Sequence, residues 1–413
     1  MEPSDSGQGT GPIDLSPTLD WALSRILPGR EETLLLRAIL HRGPHAHQDW
    51  SEFTRRIPDL PALFRMDRGG RKRLGPLLLA SIRENDLDAD AVLLTVLRTA
   101  FLREELRAQV YRNIERDVFE ALRTRGIRFL VLKGAALMET AYPEPTLRHA
   151  HDVDLLLPKE ELREAEEALA DLGLKRAPSL VRDRGIAYRH QTDTPIQLLT
   201  RLFQPSVYQG EFDEVWPIRR EVASDLLGPI QIPTPAANLL HALGHASYWP
   251  GRSTLSWVTD AWMILLENEP VDWDGFGAMA KEWGLALPVY VMLRYLEEEL
   301  EAAIPRETLR SLGEGARGSG TLQRDVALYG ARQTRKKSPE LTDLRRPGWT
   351  ERLTLMWWQV FPSREYIRWA YGNPRSTLLP FIYLTRPVTY LTERLKWRVL
   401  GWVRRLSEAT AGT

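Results

Sequence analysis

Two aspartates stand at the start of an apolar run, and this pattern constrains the chain more than any other feature. Asp152 and Asp154 lead into Leu-Leu-Leu, in a segment typical of a buried strand. Side chains alternate between the faces of a strand, so both carboxylates would point the same way, about 6.6 Å apart. Neighbouring like charges cost free energy unless a cation lies between them. The pattern therefore predicts a divalent-cation site and argues against two solvated carboxylates at a strand end; Mg²⁺ suits carboxylates and phosphate oxygens best.

A second motif lies just upstream of the aspartates. Residues 129–132 are apolar and predict a short buried strand, which Lys133 and Gly134 end. Residues 135–141 predict a helix that two nearby prolines terminate. The two motifs together predict a strand, a turn and a helix that lead to the aspartate-bearing strand.

Composition narrows the class of protein. The chain has 413 residues, enough for two or three domains, with 43% hydrophobic and 27% charged residues and a formal net charge of zero. Neutral charge gives no electrostatic argument for a nucleic-acid partner. The absence of cysteine excludes disulfides and thiolate chemistry and fits a cytoplasmic location. No signal peptide and no apolar run of about 20 residues is apparent.

Apolar periodicity divides the chain into regions. A long amphipathic stretch from residue 89 to 125 predicts a helix that Gly126 stops, and the glycine-rich stretch 313–320 predicts a linker. Between them we expect strand, helix, strand, helix and hairpin, followed by further helices. The predicted regions are a disordered tail (1–16), a helical N-terminal domain (17–126), an α/β core (127–232), a helical domain (233–315), and a linker with an aromatic and basic helical C-terminal region (316–413).

Three histidines, His151, His241 and His245, are candidate ligands of a metal, and a fourth, His149, flanks the aspartates. His151 could join Asp152 at a cation, although a histidine in a loop more often has a surface or hydrogen-bonding role. His241 and His245 have the i,i+4 spacing of a helical metal site, but the sequence between them lacks the glutamate of the H-E-x-x-H motif. Polar roles on a packed helix are therefore favoured for this pair. His149 stays without a specific role.

Two further charged residues stand out for their neighbours in the sequence. Arg148 could hold a phosphate or pair with Glu144, and the sequence leaves both options open. Asp260 lies in an otherwise apolar helix, so we expect it to pair with a histidine or an arginine rather than to take part in chemistry.

These residues together resemble a known family. The chain is similar to the uncharacterised nucleotidyltransferase family of the DNA polymerase β-like superfamily, and weaker similarity extends over roughly residues 95 to 400. The motifs that carry the resemblance are Leu132-Lys-Gly-Ala-Ala-Leu137, Tyr142-Pro143, Arg148 and Asp152-Val-Asp-Leu-Leu-Leu157, with later segments at Leu239-Leu-His241, His245, Leu255–Asp260 and Phe361–Tyr366.

The resemblance implies a fold and an activity. It implies an α+β, predominantly α-helical protein with a small mixed sheet and flanking helices between helical N- and C-terminal regions. It also implies transfer of a nucleotidyl group from a nucleoside triphosphate, with Mg²⁺ or Mn²⁺ as cofactor, to an unknown hydroxyl acceptor on a small molecule, peptide or protein. Asp152 and Asp154 would be catalytic residues and metal ligands, and Lys133, Gly134, Ala135 and Arg148 would bind the nucleotide.

One position departs from the family pattern. Gln197 stands where a third carboxylate is expected, and Leu199 stands where the pattern has histidine. An amide cannot act as a base. Either another acid such as Asp183 or Asp193 substitutes, or the alignment is shifted, or the protein is a degenerate nucleotidyltransferase that binds a partner without transfer.

The C-terminal tail is rich in tryptophan, tyrosine and arginine from residue 349 to 406. Three interpretations stay open: helices that pack on the body, a membrane-surface helix at residues 391–406, or nucleic-acid contact through stacking aromatics.

Overall fold

The chain folds as an α+β protein in which a small mixed sheet lies among helices. The computed structural model describes Leu23 and residues 26–65, 70–177, 186–192, 194–203, 205, 207–248, 255–326, 349–371 and 375–392. The predicted disordered tail at residues 1–16 lies outside the described residues.

The N-terminal region is helical, as predicted, and its last helix is the longest. That helix, α5, has 34 residues; it begins at Asp90, whose side chain accepts a hydrogen bond from the Leu93 amide, and ends before Gly126 at φ 69°. The helices of this region are α1 (Arg30–Leu40), α2 (Pro44–Arg56), α3 (Leu60–Arg65), α4 (Gly75–Asn85) and α5 (Ala91–Thr124).

Helix α5 joins two hydrophobic cores. Leu93 and Leu97 near its start pack in the larger core of the helices, whereas Val118 and Leu122 near its end pack in the core beneath the sheet. Between these two halves, Leu106 is 65% exposed. Sequence periodicity predicts one continuous buried stripe, and the stripe is interrupted because the middle of the helix spans the gap between the cores.

The predicted strand, helix, strand, helix and hairpin are confirmed. The sheet has the order β1-β2-β5-β4-β3, in which β2 and β5 are parallel and the other pairs are antiparallel. Helices α6 and α7 follow β1 and β2. The elements are β1 (Leu130–Leu132), α6 (Lys133–Thr140), β2 (Val153–Leu156), α7 (Leu162–Asp171), β3 (Lys175–Arg176), β4 (Ile186–Arg189) and β5 (Pro195–Leu199).

A second hairpin follows a short helix and was not predicted from the sequence. Helix α8 (Phe212–Val215) leads to β6 (Arg219–Ser224) and β7 (Gly228–Pro233), which pair in an antiparallel manner, and β7 lies next to β1. Strand β6 is largely polar, so its alternation is weak. The available signal was the alternation of buried isoleucines along β7 after Gly228, which has φ 70°.

Helices return after β7, and one of them corrects the predicted linker at 313–320. Helix α13 continues through Gly313 and ends at Arg317, because its small residues let it lie against its neighbours: a Cβ on Gly315 would be 3.1 Å from the Cβ of Ala286. The helices are α9 (Pro235–Tyr248), α10 (Ser256–Leu265), α11 (Trp273–Glu282), α12 (Ala286–Leu300) and α13 (Arg306–Arg317).

The C-terminal region contains further helices. Residues 321–326 and 379–392 are helical, as are Trp349–Val360 and Arg364–Ala370. Among the described residues, no helix combines the length and the apolar content needed to cross a bilayer.

Close packing of α9 against the loop after β5 gives a stability prediction. A Cβ on Gly244 would be 2.6 Å from Phe203 Cε1, so Gly244→Ala must displace a buried ring. We expect a loss of about 1–3 kcal/mol in the free energy of unfolding, measured by chemical denaturation.

Gly277 on α11 is the matched control for Gly244. A Cβ there meets no atom within 4 Å, so Gly277→Ala should raise the free energy of unfolding by about 0.5–1 kcal/mol. Equal effects of the two substitutions would contradict the packing described here.

Candidate active site

The two aspartates lie at the start of β2, where the sheet meets the helices. Asp154 is the second residue of β2 and its side chain is 1% exposed, whereas that of Asp152, just before the strand, is 16% exposed. Strand alternation places both on the same face. One carboxylate is therefore buried and the other is partly exposed.

The junction of β1 and α6 contacts this pair directly; the sequence predicts a turn at Lys133 and Gly134, but both residues already belong to the helix. Lys133 starts α6 with φ 50°, a left-handed conformation that is uncommon for a residue with a side chain, and its Nζ lies 3.0 Å from Asp154 Oδ2. The glycine that follows serves close packing, since a Cβ on Gly134 would be 3.2 Å from the Cβ of Ala150. The two predicted motifs thus meet at an ion pair.

The net effect of burial and neighbouring charges is to raise the pKa values of both members of this ion pair. Burial and the neighbouring charge of Asp152 raise the pKa of Asp154 to about 6, although Lys133 opposes the shift. Burial lowers the pKa of Lys133, but Asp154 and Asp152 outweigh it and raise that pKa above its usual value. Asp154 Oδ1 has no hydrogen-bond partner among the described residues. The attraction between Lys133 and Asp154 is therefore electrostatic, and Oδ1 of Asp154 is available to bind a further cation.

Gln197 occupies the position beside the aspartates. In the parallel pairing of β2 with β5, Asp154 is opposite Gln197, and Gln197 Nε2 donates a 2.7 Å hydrogen bond to Asp152 Oδ2. Leu199 follows on the same strand. The third carboxylate that the family pattern expects is therefore replaced by a neutral donor. Asp183 and Asp193, the predicted substitutes, lie outside the described residues.

Arg148 is engaged within the protein. Its Nε and Nη2 donate to the two oxygens of Asp260 at 2.6 and 2.8 Å, and its Nη1 donates to the carbonyl of His149. Tyr142 donates to Asp260 Oδ1 at 2.7 Å. Glu144, a predicted partner of Arg148, does not pair with it in the described structure. The ion pair with Asp260 confirms the prediction that Asp260 pairs with a histidine or an arginine. This network ties the segment before β2 to helix α10.

The histidines beside the aspartates have different surroundings. His149 Nδ1 lies 3.0 Å from Glu104 Oε2 on α5, and Arg107 donates to the same carboxylate. His151 Nε2 lies 3.7 Å from Asp152 Oδ2 with its side chain 59% exposed. His151 is thus near the pair, whereas His149 fixes the loop to α5.

Helix α9 brings two more histidines close to the site. His241 is buried, and its Nε2 has no hydrogen-bond partner among the described residues. Burial and the charge of Lys133 lower the pKa of His241 to about 3 and that of His245 well below its usual value. Both side chains are therefore neutral at pH 7, and both lie close enough to Lys133 for its charge to lower their pKa values.

The carboxylate pair fits a magnesium ion by its chemistry. Asp152 and Asp154 offer hard oxygen ligands, and the orphaned Oδ1 of Asp154 is a buried acceptor without a donor. Across the described parts of the chain, no cluster of three or more histidine, aspartate or glutamate side chains could hold a metal. The residues present therefore fit one ion held by two carboxylates, with the remaining ligands from outside the protein.

Sequence reasoning missed Tyr111 on α5 and its partner Thr194. Burial and the negative charge of Asp152 raise the pKa of Tyr111, and Thr194 is hydrogen-bonded to this tyrosine. Glu104, which holds His149, was also missed. Tyr111 and Glu104 are remote in sequence from the motifs, so no local pattern identifies them.

The buried pair between Arg148 and Asp260 gives a second stability prediction. Their side chains are 14% and 9% exposed, so Arg148→Ala leaves an uncompensated buried carboxylate. We expect a loss of about 3–5 kcal/mol in the free energy of unfolding, measured by denaturant titration.

The control pair is Arg163 with Glu167, whose side chains are 86% and 51% exposed. Arg163→Ala should change stability by less than about 0.5 kcal/mol because solvent screens the pair. A loss for Arg148→Ala no larger than this would show that the Arg148–Asp260 pair does not hold the site.

Comparisons with known proteins place the chain in a family. No curated protein matches it significantly. The solution structure of the antibiotic-resistance factor ANT(2'')-Ia aligns at 16% identity over 47% of this chain and 97% of that chain, with a TM-score of 0.31. An antigenic nucleotidyltransferase-like protein from Paracoccidioides brasiliensis aligns at 12% identity over 48% of this chain and 92% of that chain, with a TM-score of 0.33. The family model of the uncharacterised nucleotidyltransferases matches residues 67–301, more than half of the chain, and covers β1, α6, β2 and β5. The chain therefore belongs to the uncharacterised nucleotidyltransferase family.

Proposed function

We propose that this protein is a Mg²⁺-dependent nucleotidyltransferase that moves a nucleoside monophosphate from a nucleoside triphosphate to a hydroxyl group of a small molecule, peptide or protein. Family membership supports nucleotidyl transfer in general. The observation that carries the specific proposal is the contact between Lys133 of the turn and Asp154 of β2. This contact brings a segment of the kind that binds phosphate next to a carboxylate pair of the kind that binds a cation.

Asp152 and Asp154 would hold the metal ion. Bound Mg²⁺ would neutralise charge on the triphosphate and favour in-line displacement. The buried Asp154 would fix the ion in the protein, and the more exposed Asp152 would meet it from the solvent side. Gln197 holds Asp152 by its amide hydrogen bond and so restricts the orientation of that carboxylate.

The turn and the start of α6 would receive phosphate oxygens. Backbone N–H groups at the first residues of a helix have no partner within it, and the helix dipole favours an anion there. Lys133 would add a point charge next to Gly134 and Ala135. Ala135 has no hydroxyl, so the phosphate contacts would come from backbone amides and the lysine.

Arg148 would position the site rather than touch phosphate. Its guanidinium is committed to Asp260 and to the carbonyl of His149. That commitment fixes the loop that ends at Asp152. The loop in turn packs on Gly134 through Ala150, so one network sets the distance between the turn and the aspartates.

The acceptor hydroxyl must lose its proton during transfer. Gln197 cannot take that proton because an amide is not a base. The proton would therefore leave through a carboxylate of the pair or through water, and the rate would depend mainly on positioning and charge neutralisation.

The alternative function is a degenerate nucleotidyltransferase that binds a partner without transfer. The replacement of the expected third carboxylate by Gln197 favours it, together with the lack of a three-carboxylate cluster among the described residues. Sustained release of pyrophosphate from labelled nucleoside triphosphates, with Mg²⁺ or Mn²⁺ and a cell lysate as acceptor source, would exclude a pure binding protein.

Asp154→Asn tests the metal site. The variant loses the buried anion that would hold Mg²⁺ and should bind Mg·ATP at least about tenfold more weakly, as measured by isothermal titration calorimetry. Wild-type affinity should also fall as the pH drops through about 6, because Asp154 then takes up a proton and no longer attracts a cation.

Asp171→Asn is the control for this titration, since Asp171 is 74% exposed on α7 and pairs only with Arg125 in the described structure. Its Mg·ATP affinity should equal that of the wild type. Unchanged affinity in Asp154→Asn would remove the proposed function.

Gln197→Asp tests the role of the position opposite Asp154. The substitution adds the carboxylate that the family pattern expects and should raise the rate of pyrophosphate release at saturating Mg²⁺ by about tenfold or more. Gln197→Leu, which removes the hydrogen bond to Asp152 without adding a charge, should lower that rate. A slower Gln197→Asp enzyme with intact Mg·ATP binding would show that this position does not serve the transfer step.

A further inference from the structure

Two helices of the C-terminal region expose apolar surface. On the helix Trp349–Val360 the exposed residues include Trp349 and Trp357, and on the helix of residues 379–392 they include Leu384, which is 74% exposed. We call this surface the C-terminal apolar face. Its members are Trp349, Leu353, Met356, Trp357, Phe381, Leu384, Val388 and Leu391.

The second of these helices has apolar residues on both sides. Leu379 and Tyr390 are buried on its inward side. Tyr383 donates to the carbonyl of Pro362 at 2.6 Å, and Arg386 donates to the hydroxyl of Tyr371 at 3.1 Å. Phe381, Leu384, Val388 and Leu391 have the 3,4,3 spacing of one outward stripe. The inward side therefore already packs against the protein, and the outward stripe is additional apolar surface.

Hydroxyl groups on the same side are satisfied within their own helix. Thr385, Thr389 and Thr392 each donate to the carbonyl four residues earlier, at 2.8–3.0 Å. Thr354 does the same on the other helix, at 2.9 Å. A surface whose hydroxyls already have partners loses little when it leaves water for a medium without hydrogen-bonding groups. This favours lipid over a protein partner, whose interfaces carry cross-chain hydrogen bonds.

The charge of the region selects the kind of lipid. Residues 349–392 contain five arginines and two glutamates, and no aspartate or lysine. Arg368 and Arg375 are exposed. Arginines beside an apolar face attract anionic headgroups, while the face enters the boundary of the acyl chains.

We infer that the C-terminal apolar face docks on the surface of an anionic lipid bilayer, with both helices lying in the plane of the interface. Over their described residues, neither helix is long and apolar enough to span a bilayer. Docking would place the site of the proposed transfer next to a membrane.

Vesicle flotation with the full-length protein tests this inference. The probes are vesicles of equal parts phosphatidylcholine and phosphatidylglycerol, compared with vesicles of phosphatidylcholine alone. The protein should float with the anionic vesicles. The double variant Leu384→Gln and Val388→Gln should bind these vesicles at least about tenfold more weakly, because it removes two large apolar contacts.

The matched control is the double variant Leu102→Gln and Leu106→Gln on α5. These leucines are 57% and 65% exposed but lie outside the C-terminal apolar face, so this variant should bind as the wild type does. Circular dichroism of both variants checks that the fold is retained. Three results would overturn the inference. The first is no binding of the wild type to anionic vesicles, and the second is equal binding to neutral ones. The third is a wild-type dimer in light scattering that binds no vesicles and that the double variant Leu384→Gln and Val388→Gln dissociates.

Discussion

The ion pair between Lys133 and Asp154 is the interaction on which the site depends. A carboxylate with 1% exposure and a like-charged neighbour is expensive to ionise, and its pKa rises to about 6 for that reason. Only a cation of fixed position makes the charged form acceptable near neutral pH. The turn after β1 supplies it, and the left-handed conformation of Lys133 is the local strain that accompanies this placement. The resulting contact fixes how β1, β2 and α6 meet.

Contacts from the rest of the fold fix the position of this ion pair. Arg148, Asp260 and Tyr142 join the loop before β2 to α10, while Glu104 joins the same loop to α5 through His149. Because α5 packs in one core at its start and in another at its end, it connects the helical body with the sheet. The aspartates are therefore clamped from both sides, and the site is built from segments more than a hundred residues apart.

Local patterns in the sequence predicted most of the sheet and the long helix, and they identified the two motifs that meet at the contact between Lys133 and Asp154. They failed where the deciding contact is tertiary. The buried stripe of α5 is broken because two cores share the helix. Gly315 lies inside α13, where Ala286 and Lys281 leave little space for a side chain. Likewise, the partner of Arg148 could not be chosen from the sequence, since Glu144 is near in the chain but Asp260 is near in the fold. The domain boundaries and the roles of the site residues stay predictions.

The presence of Lys133 within the carboxylate pair bears on how a metal and a nucleotide would bind. In the proposed function, both Mg²⁺ and the lysine ammonium seek the oxygens of Asp154. A metal ion at the free Oδ1 would lie close to the lysine ammonium on Oδ2, and two neighbouring cations in a buried place repel each other. A triphosphate supplies a further anion, so the lysine can turn from Asp154 to phosphate when the ion binds. Metal and nucleotide would then bind cooperatively, each lowering the cost of the other. Gln197 fits this arrangement, because a third carboxylate would add a charge that a single lysine could not balance in the free protein.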